Sequence, residues 1–568
     1  MGCGAGAHSQ QEVPPHASPS PPAPEAQAAV SDNPARQDPP GIPAPAAQAA
    51  QTDALAKIEM DGTPEGGIAL PGTLDEITEA WLTSAFRQSG LLDAGTSVQA
   101  MKTRKLGSDE GMMADKLMID DIVYATAQAE ERDPPGQLPK HRAPSSCMVK
   151  IPPTATGFPR AFVNAGCKIE CYFYQHLQGP MREKFGVWSP QCYFVGTRSD
   201  GEEPSSHRYV CVLEHMTHPQ RSPGLPTLRP GKMIEGDVPL ECALLAVQQL
   251  AALHAAYWEM DREAFRAPEP PGGGAPFLAE VSHSAEAGQL TRSCGMLRSG
   301  VKEVGDLFAG PAANKHLPPG PEYDGFRLLG QCMQELYPKL RRKLNAFAKR
   351  MEKCPTALNH GDTTCENLFY STSACSESDG VGPPQAIWFD FQGLKHSAAV
   401  RDVSWFVTSS FSVERRRAVE EQLVRCYYDA LGERLPRAAG DGVAAGERSG
   451  DRGGPAGGGR SFESFEQCFQ DYGFCLHAVL LVLLGVSTMR WRPMARAEEA
   501  SGRRGIFSET ALEPGSEELR RELEKSNQFC VRVVAALDDH RWAALFEGGE
   551  EDSEEQNPTD LATPCNFG

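Results

Sequence analysis

The sequence predicts a two-lobed α+β protein: a smaller lobe built as a sheet with one inserted helix, then a larger lobe that is mainly helical. Three observations predict it. Between Thr73 and Thr217 apolar residues mostly alternate, the period of half-buried strands, with a single stretch at helical spacing. Beyond a Pro/Gly-rich link at His218–Gly236, helical spacing takes over. The 568 residues exceed one small module at roughly 100–200 residues per domain, and a 40% hydrophobic content is enough to bury cores.

The elements follow in order. Thr73–Leu92 carries Ile77, Trp81, Leu82 and Phe86 at helical spacing, and Thr73 with Glu76 reads as a capping box. Val98–Lys105 and Asp115–Ala125 alternate on either side of a glycine turn, Leu106–Met113. Cys147–Ile151 is a further strand, Ala165–Gln178 returns to helical spacing, and strands resume at Gln191–Thr197 and Tyr209–His215. In the second half Leu240–Glu259, Tyr323–Lys353, Ser461–Val486 and Ser516–Phe546 read as helices. Leu476–Val486 is strongly apolar but too short to span a bilayer, and reads as buried. The domain reading is an Ala/Pro-rich disordered tether at 1–70, lobes at 71–217 and 218–546, a Gly-rich insertion at 436–460 and an acidic tail at 547–568.

Charge and cysteines exclude some classes. A net charge of −20, from 55 basic and 75 acidic residues, argues against non-specific nucleic-acid binding, which needs phosphate-neutralising side chains. An anionic ligand would have to be met by a local cluster of donors. The 17 cysteines include no Cys-x-x-Cys pair, and the sequence shows no secretory signal, so they read as reduced thiols of a cytosolic or nuclear protein, with the cytoplasm as the expected location. Gly2 is a candidate for myristate and Cys3 for palmitate, although Gly6 stands where Ser or Thr is usual. Two acyl chains would tether the protein to a membrane where one would not.

The chemistry concentrates in Ala357–Tyr370 (ALNHGDTTCENLFY) and Ala386–Gly393 (AIWFDFQG). Asp362 can accept a proton from a substrate hydroxyl, Asn367 can offer a carbonyl oxygen to Mg²⁺, and Asp390, at the end of an apolar strand, is a rigid second hard-oxygen ligand. Upstream, Lys150 is a charge inside a strand and Glu170 lies on the following helix; paired, they would aim an ammonium at nucleotide phosphates. Gly107 and Gly111 would let backbone approach those phosphates. Val212–Met216 (VLEHM), with Glu214 and Met216, is where an adenine ring could take backbone hydrogen bonds. His360 reads as a packing residue of the loop and His254 as a core histidine.

With these residues the sequence resembles the protein-kinase-like fold in its small-molecule branch, the aminoglycoside phosphotransferase and choline kinase superfamily, nearest its ecdysteroid kinase-like (CHK kinase-like) group. The matching strings are VKIPP, the ECYFY of Glu170–Tyr174, LHAAYW, HGDTTCENLF and FDFQG, followed by Asp402 in RDVSWF, over about Leu74 to Leu431. The resemblance implies ATP- and Mg²⁺-dependent phosphorylation of a hydroxyl on a small molecule. By position it makes Asp362 the catalytic Asp, Asn367 and Asp390 the magnesium ligands, Lys150 the nucleotide-phosphate lysine, Glu170 its helix partner, and Asp402 the buried Asp that holds the catalytic loop through backbone N–H groups. A protein kinase is disfavoured: no Arg precedes Asp362, and the short stretch from Asp390 to Asp402 leaves no room for an activation loop. The alternative is a catalytically weak kinase-like binding or scaffold protein.

Overall fold

Alternation in the first half builds one antiparallel sheet, and its two faces sort the apolar residues by parity. The computed structural model describes residues 67–106, 114–126, 143–154, 160–199, 207–218, 228–232, 237–259, 299–310, 317, 320–343, 347, 350–351, 353–371, 385–435, 462–487 and 517–542. Within them the strands β1 (Thr96–Lys105), β2 (Asp115–Thr126), β3 (Cys147–Ile151), β4 (Cys192–Ser199) and β5 (His207–Glu214) form a five-stranded sheet ordered β1-β2-β3-β5-β4. Along β3, Cys147, Val149 and Ile151 join one core, with Leu117 and Ile119 of β2 and Val210 and Val212 of β5. Helix α1 (Glu79–Gln88) covers that face through Leu82, Ala85 and Phe86. The intervening Met148, with Cys211 and Leu213, packs the opposite face against helix α2 (Arg160–Tyr172). Lys150 shares the parity of Met148, so it lies on the α2 face, in register with Lys116 on one side and Cys211 on the other.

The start of α1 differs from the expected capping box. Thr73 Oγ1 donates to Glu76 Oε1 at 3.1 Å, but the two close only a single 3₁₀ turn, Leu74–Glu76. The chain straightens at Ile77, and the helix is capped by Thr78, whose hydroxyl accepts from Trp81 N at 3.2 Å. Packing also begins ahead of Thr73: Leu70 is buried in the first core, and Ala69 O accepts the Trp81 indole N–H at 2.9 Å.

The second lobe packs α3 (Leu240–Ala256), α4 (Asp324–Arg342), α5 (Arg401–Ser410), α6 (Val413–Arg434), α7 (Phe465–Val486) and α8 (Glu517–Asp539) around one core that runs on into the α2 face of the sheet. All ten residues of α5 are buried. The apolar run of α7 contributes Leu476, Val479, Leu480, Leu483 and Leu484 to the core, and among the described residues no helix is long and apolar enough to cross a membrane. Two small sheets carry the loops that matter: β6 (Arg229–Pro230), β8 (Leu368–Ser371) and β9 (Gln385–Trp388) in one, β7 (Thr356–Asn359) and β10 (Lys395–Ala398) in the other. Gly2, Cys3, Gly107, Gly111, the insertion at 436–460 and the tail at 547–568 lie outside the described residues.

Candidate active site

The five side chains read as a site from two distant segments come together at the junction of the lobes. Lys150 Nζ lies 2.6 Å from Glu170 Oε2 and 2.8 Å from Asp390 Oδ1, and all three side chains are buried. Burial opposes the lysine's charge, yet Asp390 and Glu170 together hold its ammonium above the ordinary value. Burial likewise opposes ionisation of Asp390, and Lys150 followed by Lys116 outweighs it, holding that carboxyl below its ordinary value. Glu170 keeps the larger burial effect and is raised.

Helix α2 is fixed for this pairing by an aromatic stack. Past Tyr172 the helix continues through a wider turn, Phe173–Leu177, and Phe173 stacks on Phe391 with centroids 3.6 Å apart and planes 9° apart. The His360 ring also packs on Phe391, with centroids 4.6 Å apart and planes tilted by 50°. One phenyl ring, next in sequence to Asp390, thus ties the Glu170 helix to the loop that carries Asp362, at about 0.5–1.5 kcal/mol beyond its area burial. Asp390 itself is held at φ 66°, a left-handed conformation uncommon for a non-glycine residue, as found at functional sites.

The loop around Asp362 hangs from Asp402. Asp402, in the first turn of α5, accepts His360 N at 2.6 Å through Oδ2 and Gly361 N at 3.1 Å through Oδ1. Its backbone carbonyl accepts the Thr363 hydroxyl at 2.7 Å. His254, wholly buried, lies 3.4 Å from Asp402 Oδ2 and 2.8 Å from the Tyr427 hydroxyl, so the core histidine also supports this carboxylate. Gly361 has φ +86°, and a Cβ there would fall 1.8 Å from Gly393 O, so no other residue fits. His360 bonds the Phe389 carbonyl at 3.0 Å through Nε2, a packing and tethering role.

Asp362 is half-buried. Burial, then the nearby Asp390, pushes its carboxyl up to about 6. Asn367 Nδ2 donates to the Asp362 carbonyl at 2.8 Å, which turns the amide so that Oδ1 remains as an acceptor. Lys150 takes Asp390 Oδ1, and the second oxygen makes no hydrogen bond among the described residues. Two hard oxygens from Asn367 and Asp390 are therefore left for a cation, a donor set suited to Mg²⁺ supplemented by phosphate oxygens and water. No cluster of three or more His, Cys, Asp or Glu able to hold a metal exists among the described residues.

At the strand end, Glu214 N donates to Gln191 O at 2.8 Å and Gln191 N returns to Glu214 Oε2 at 3.1 Å, while Met216 is buried with Leu228, Ile387 and Phe369. That apolar patch lies between the β5 exit and the Asn367 and Asp390 strands. Sequence reasoning named Glu214 and Met216 and missed the three others, because Phe369 and Ile387 lie in strands too short to show a period and Leu228 just precedes a two-residue one. It also missed Lys525 of α8, which forms an ion pair with Glu366 and so neutralises the extra charge beside Asn367. Burial, then Glu366, pushes the neighbouring Cys365 thiol up to about 12, which makes it unreactive.

Strand order, the strand–helix ion pair and the loop hung from a buried carboxylate define a protein-kinase-like two-lobed α+β fold. Residues 293–439, which carry HGDTTCENLF and FDFQG, match the ecdysteroid kinase-like family, the family the motifs resemble. No curated protein matches the chain. Similar solved structures include an ethanolamine kinase of Plasmodium vivax (9% identity, 80% of this chain and 87% of that one, TM-score 0.37). A choline kinase of Cryptosporidium parvum is similar at 10% identity (77% and 92%, TM-score 0.33). A microcompartment-associated aminopropanol kinase is similar at 12% identity (81% and 98%, TM-score 0.33).

Proposed function

We propose that the protein is an ATP- and Mg²⁺-dependent phosphotransferase acting on a hydroxyl of a small molecule. The observation that carries the reading is the convergence of Lys150, Glu170 and Asp390 with Asp362 and Asn367, which lie more than 200 residues apart in sequence at the extremes. The family match and the names of the similar structures, kinases of choline, ethanolamine and aminopropanol, support the same class.

Each residue then has a task. Lys150, kept charged by its two carboxylates, holds nucleotide phosphate oxygens, and Glu170 keeps it aimed. Asn367 and Asp390 would hold Mg²⁺, which neutralises charge on the transferring phosphate oxygens. Met216, Leu228, Ile387 and Phe369 offer an apolar seat for the adenine ring. Asp362 orients the acceptor hydroxyl and takes its proton as the oxygen bonds to the γ-phosphorus and the bond to the ADP oxygen breaks. With its carboxyl near 6, Asp362 is mostly ionised at neutral pH and a better proton acceptor than an exposed aspartate.

The test is nucleotide binding followed by turnover. ATP with Mg²⁺ should raise the melting temperature by mass action, and Asp390→Asn should abolish the Mg²⁺-dependent part. Stabilisation without transfer to any acceptor would favour the binding or scaffold alternative; absence of stabilisation would refute both the nucleotide site and the enzyme.

A further inference from the structure

Two cations beside Asp362 have no task in the scheme above. Lys395 opens β10 in register with Asn359, three residues ahead of Asp362. Gly393, two residues before it, packs so tightly on the loop that a Cβ there would lie 3.3 Å from Asp362 Cβ. Lys395 is half-buried, and its ammonium makes no hydrogen bond or ion pair among the described residues. Arg401, at the start of α5, is 7% exposed. Its guanidinium lies 5.2 Å over the Trp405 ring, and its buried Nη1 has no hydrogen-bond partner among the described residues.

Asp402 and Asp362 act on both cations, Arg401 acts on Lys395 as well and Cys475 on Arg401, while no member of the Lys150–Glu170–Asp390 triad is among these groups. The two cations therefore stand on the Asp362 side of the site, where an acceptor binds. Asp402 does not neutralise them as a direct partner, since both its oxygens are committed to the loop backbone. Burial, then Arg401, brings the Lys395 ammonium down to about 7, the response of a cation that lacks a counter-ion. A buried guanidinium with an unpaired N–H next to an unpaired ammonium is unfavourable unless an anion completes it.

We propose that Lys395 and Arg401 form an oxyanion subsite for the acceptor, so that the alcohol phosphorylated here carries a carboxylate or phosphate near its reacting hydroxyl. The inference rests on the phosphotransferase reading and sets its substrate class. It separates this pocket from one built for a cationic amino alcohol, which would surround the ligand with aromatic or acidic groups.

The full-length protein is assayed for Mg²⁺- and ATP-dependent phosphorylation of glycerate, glycerol 3-phosphate, glycerol and ethanolamine, beside Lys395→Met. Because Arg401 is buried, Lys395 carries the substitution. Wild type should use at least one anion tenfold or more better in kcat/KM than glycerol or ethanolamine. Lys395→Met should cut that anion-to-glycerol ratio at least tenfold, chiefly through KM. Preference for glycerate over glycerol 3-phosphate, or the reverse, tells which oxyanion the subsite takes. Equal use of all four acceptors overturns the proposal. So does a loss in Lys395→Met that leaves the ratio unchanged, which would assign the lysine to the transferred phosphoryl group. A binding arm keeps the two readings separable: whichever of glycerate and glycerol 3-phosphate shifts wild type more should stabilise it thermally and Lys395→Met at least threefold less. If that difference holds while no acceptor is phosphorylated, the subsite stands and phosphotransfer falls; an equal shift in both proteins overturns the subsite.

Discussion

Replacing Lys150 with Met removes the only cation that touches Glu170 and Asp390 among the described residues. At 2.6 and 2.8 Å each contact is worth roughly 6 kcal/mol in gross Coulomb energy at an effective dielectric of ~20, before the cost of burying the charges. Removing one partner of a buried pair typically costs about 3–5 kcal/mol net, because the remaining charge is left uncompensated. Lys150→Met should therefore lose about 3–5 kcal/mol, and Lys150→Met/Glu170→Gln should lose less than the single lysine variant, since one of the stranded charges is gone. The sign of the pH dependence adds a second reading. In Lys150→Met the stranded carboxyls have folded pKa values raised above those of the unfolded chain, so the folded state binds more protons. The variant's deficit should then shrink as pH falls from 7 to 5. Equilibrium urea unfolding followed by tryptophan fluorescence measures wild type, Lys150→Met, Glu170→Gln and the double variant. A Lys150→Met variant within ~0.5 kcal/mol of wild type, or single losses that simply add, would refute the buried triad.

Other predictions follow from the same contacts. Asp402→Asn keeps one acceptor for two backbone donors, leaving His360 N or Gly361 N unsatisfied, and should cost about 1–3 kcal/mol in urea unfolding and slow turnover more than it weakens ATP binding. Gly361→Ala should cost roughly 3 kcal/mol or more, or yield a folded protein without turnover, since neither the +86° φ nor the 1.8 Å approach to Gly393 O admits a Cβ; an active, stable variant would contradict the loop geometry. Burial holds His396 and His477 down to about 4, so each is neutral when folded and protonated below about 6.5 when unfolded. Their contribution is present above pH 6.5 and lost as pH falls toward 4, on the order of 3 kcal/mol each. His477→Gln should flatten that part of the stability profile by its share, and an unchanged slope would contradict its burial as a neutral ring.

The candidate site residues were legible because their types and spacing are constrained by the chemistry proposed for them. Lys150 stood out as a charge within an apolar strand, and Asp362, Asn367 and Asp390 as hard oxygens at loop and strand ends. The sheet was legible through its period of two, which also predicts the face of Lys150 once the register is known. Partners across the fold were not. Nothing in the sequence ties Glu366 to Lys525, Phe173 to Phe391, or Lys395 to Arg401 and Asp362, since periodicity names a face but not the residue opposite it. The helix start failed for a local reason: Thr73 and Thr78 both suit a cap, and the chain straightens at Ile77, which leaves the second to start the helix.

The claim on which everything rests is that Asp362 accepts the proton of a hydroxyl poised beside ATP held by Lys150, Asn367 and Asp390. Phosphoryl transfer from γ-labelled ATP to the best acceptor of the panel, measured for wild type and Asp362→Asn alongside ATP affinity, tests it most directly. A rate at least a thousandfold lower with ATP affinity unchanged within a few-fold is the expected result, in keeping with loss of a general base together with its orienting contact, ~10²–10⁴-fold for the base alone. A variant that transfers phosphate as fast as wild type would contradict the account.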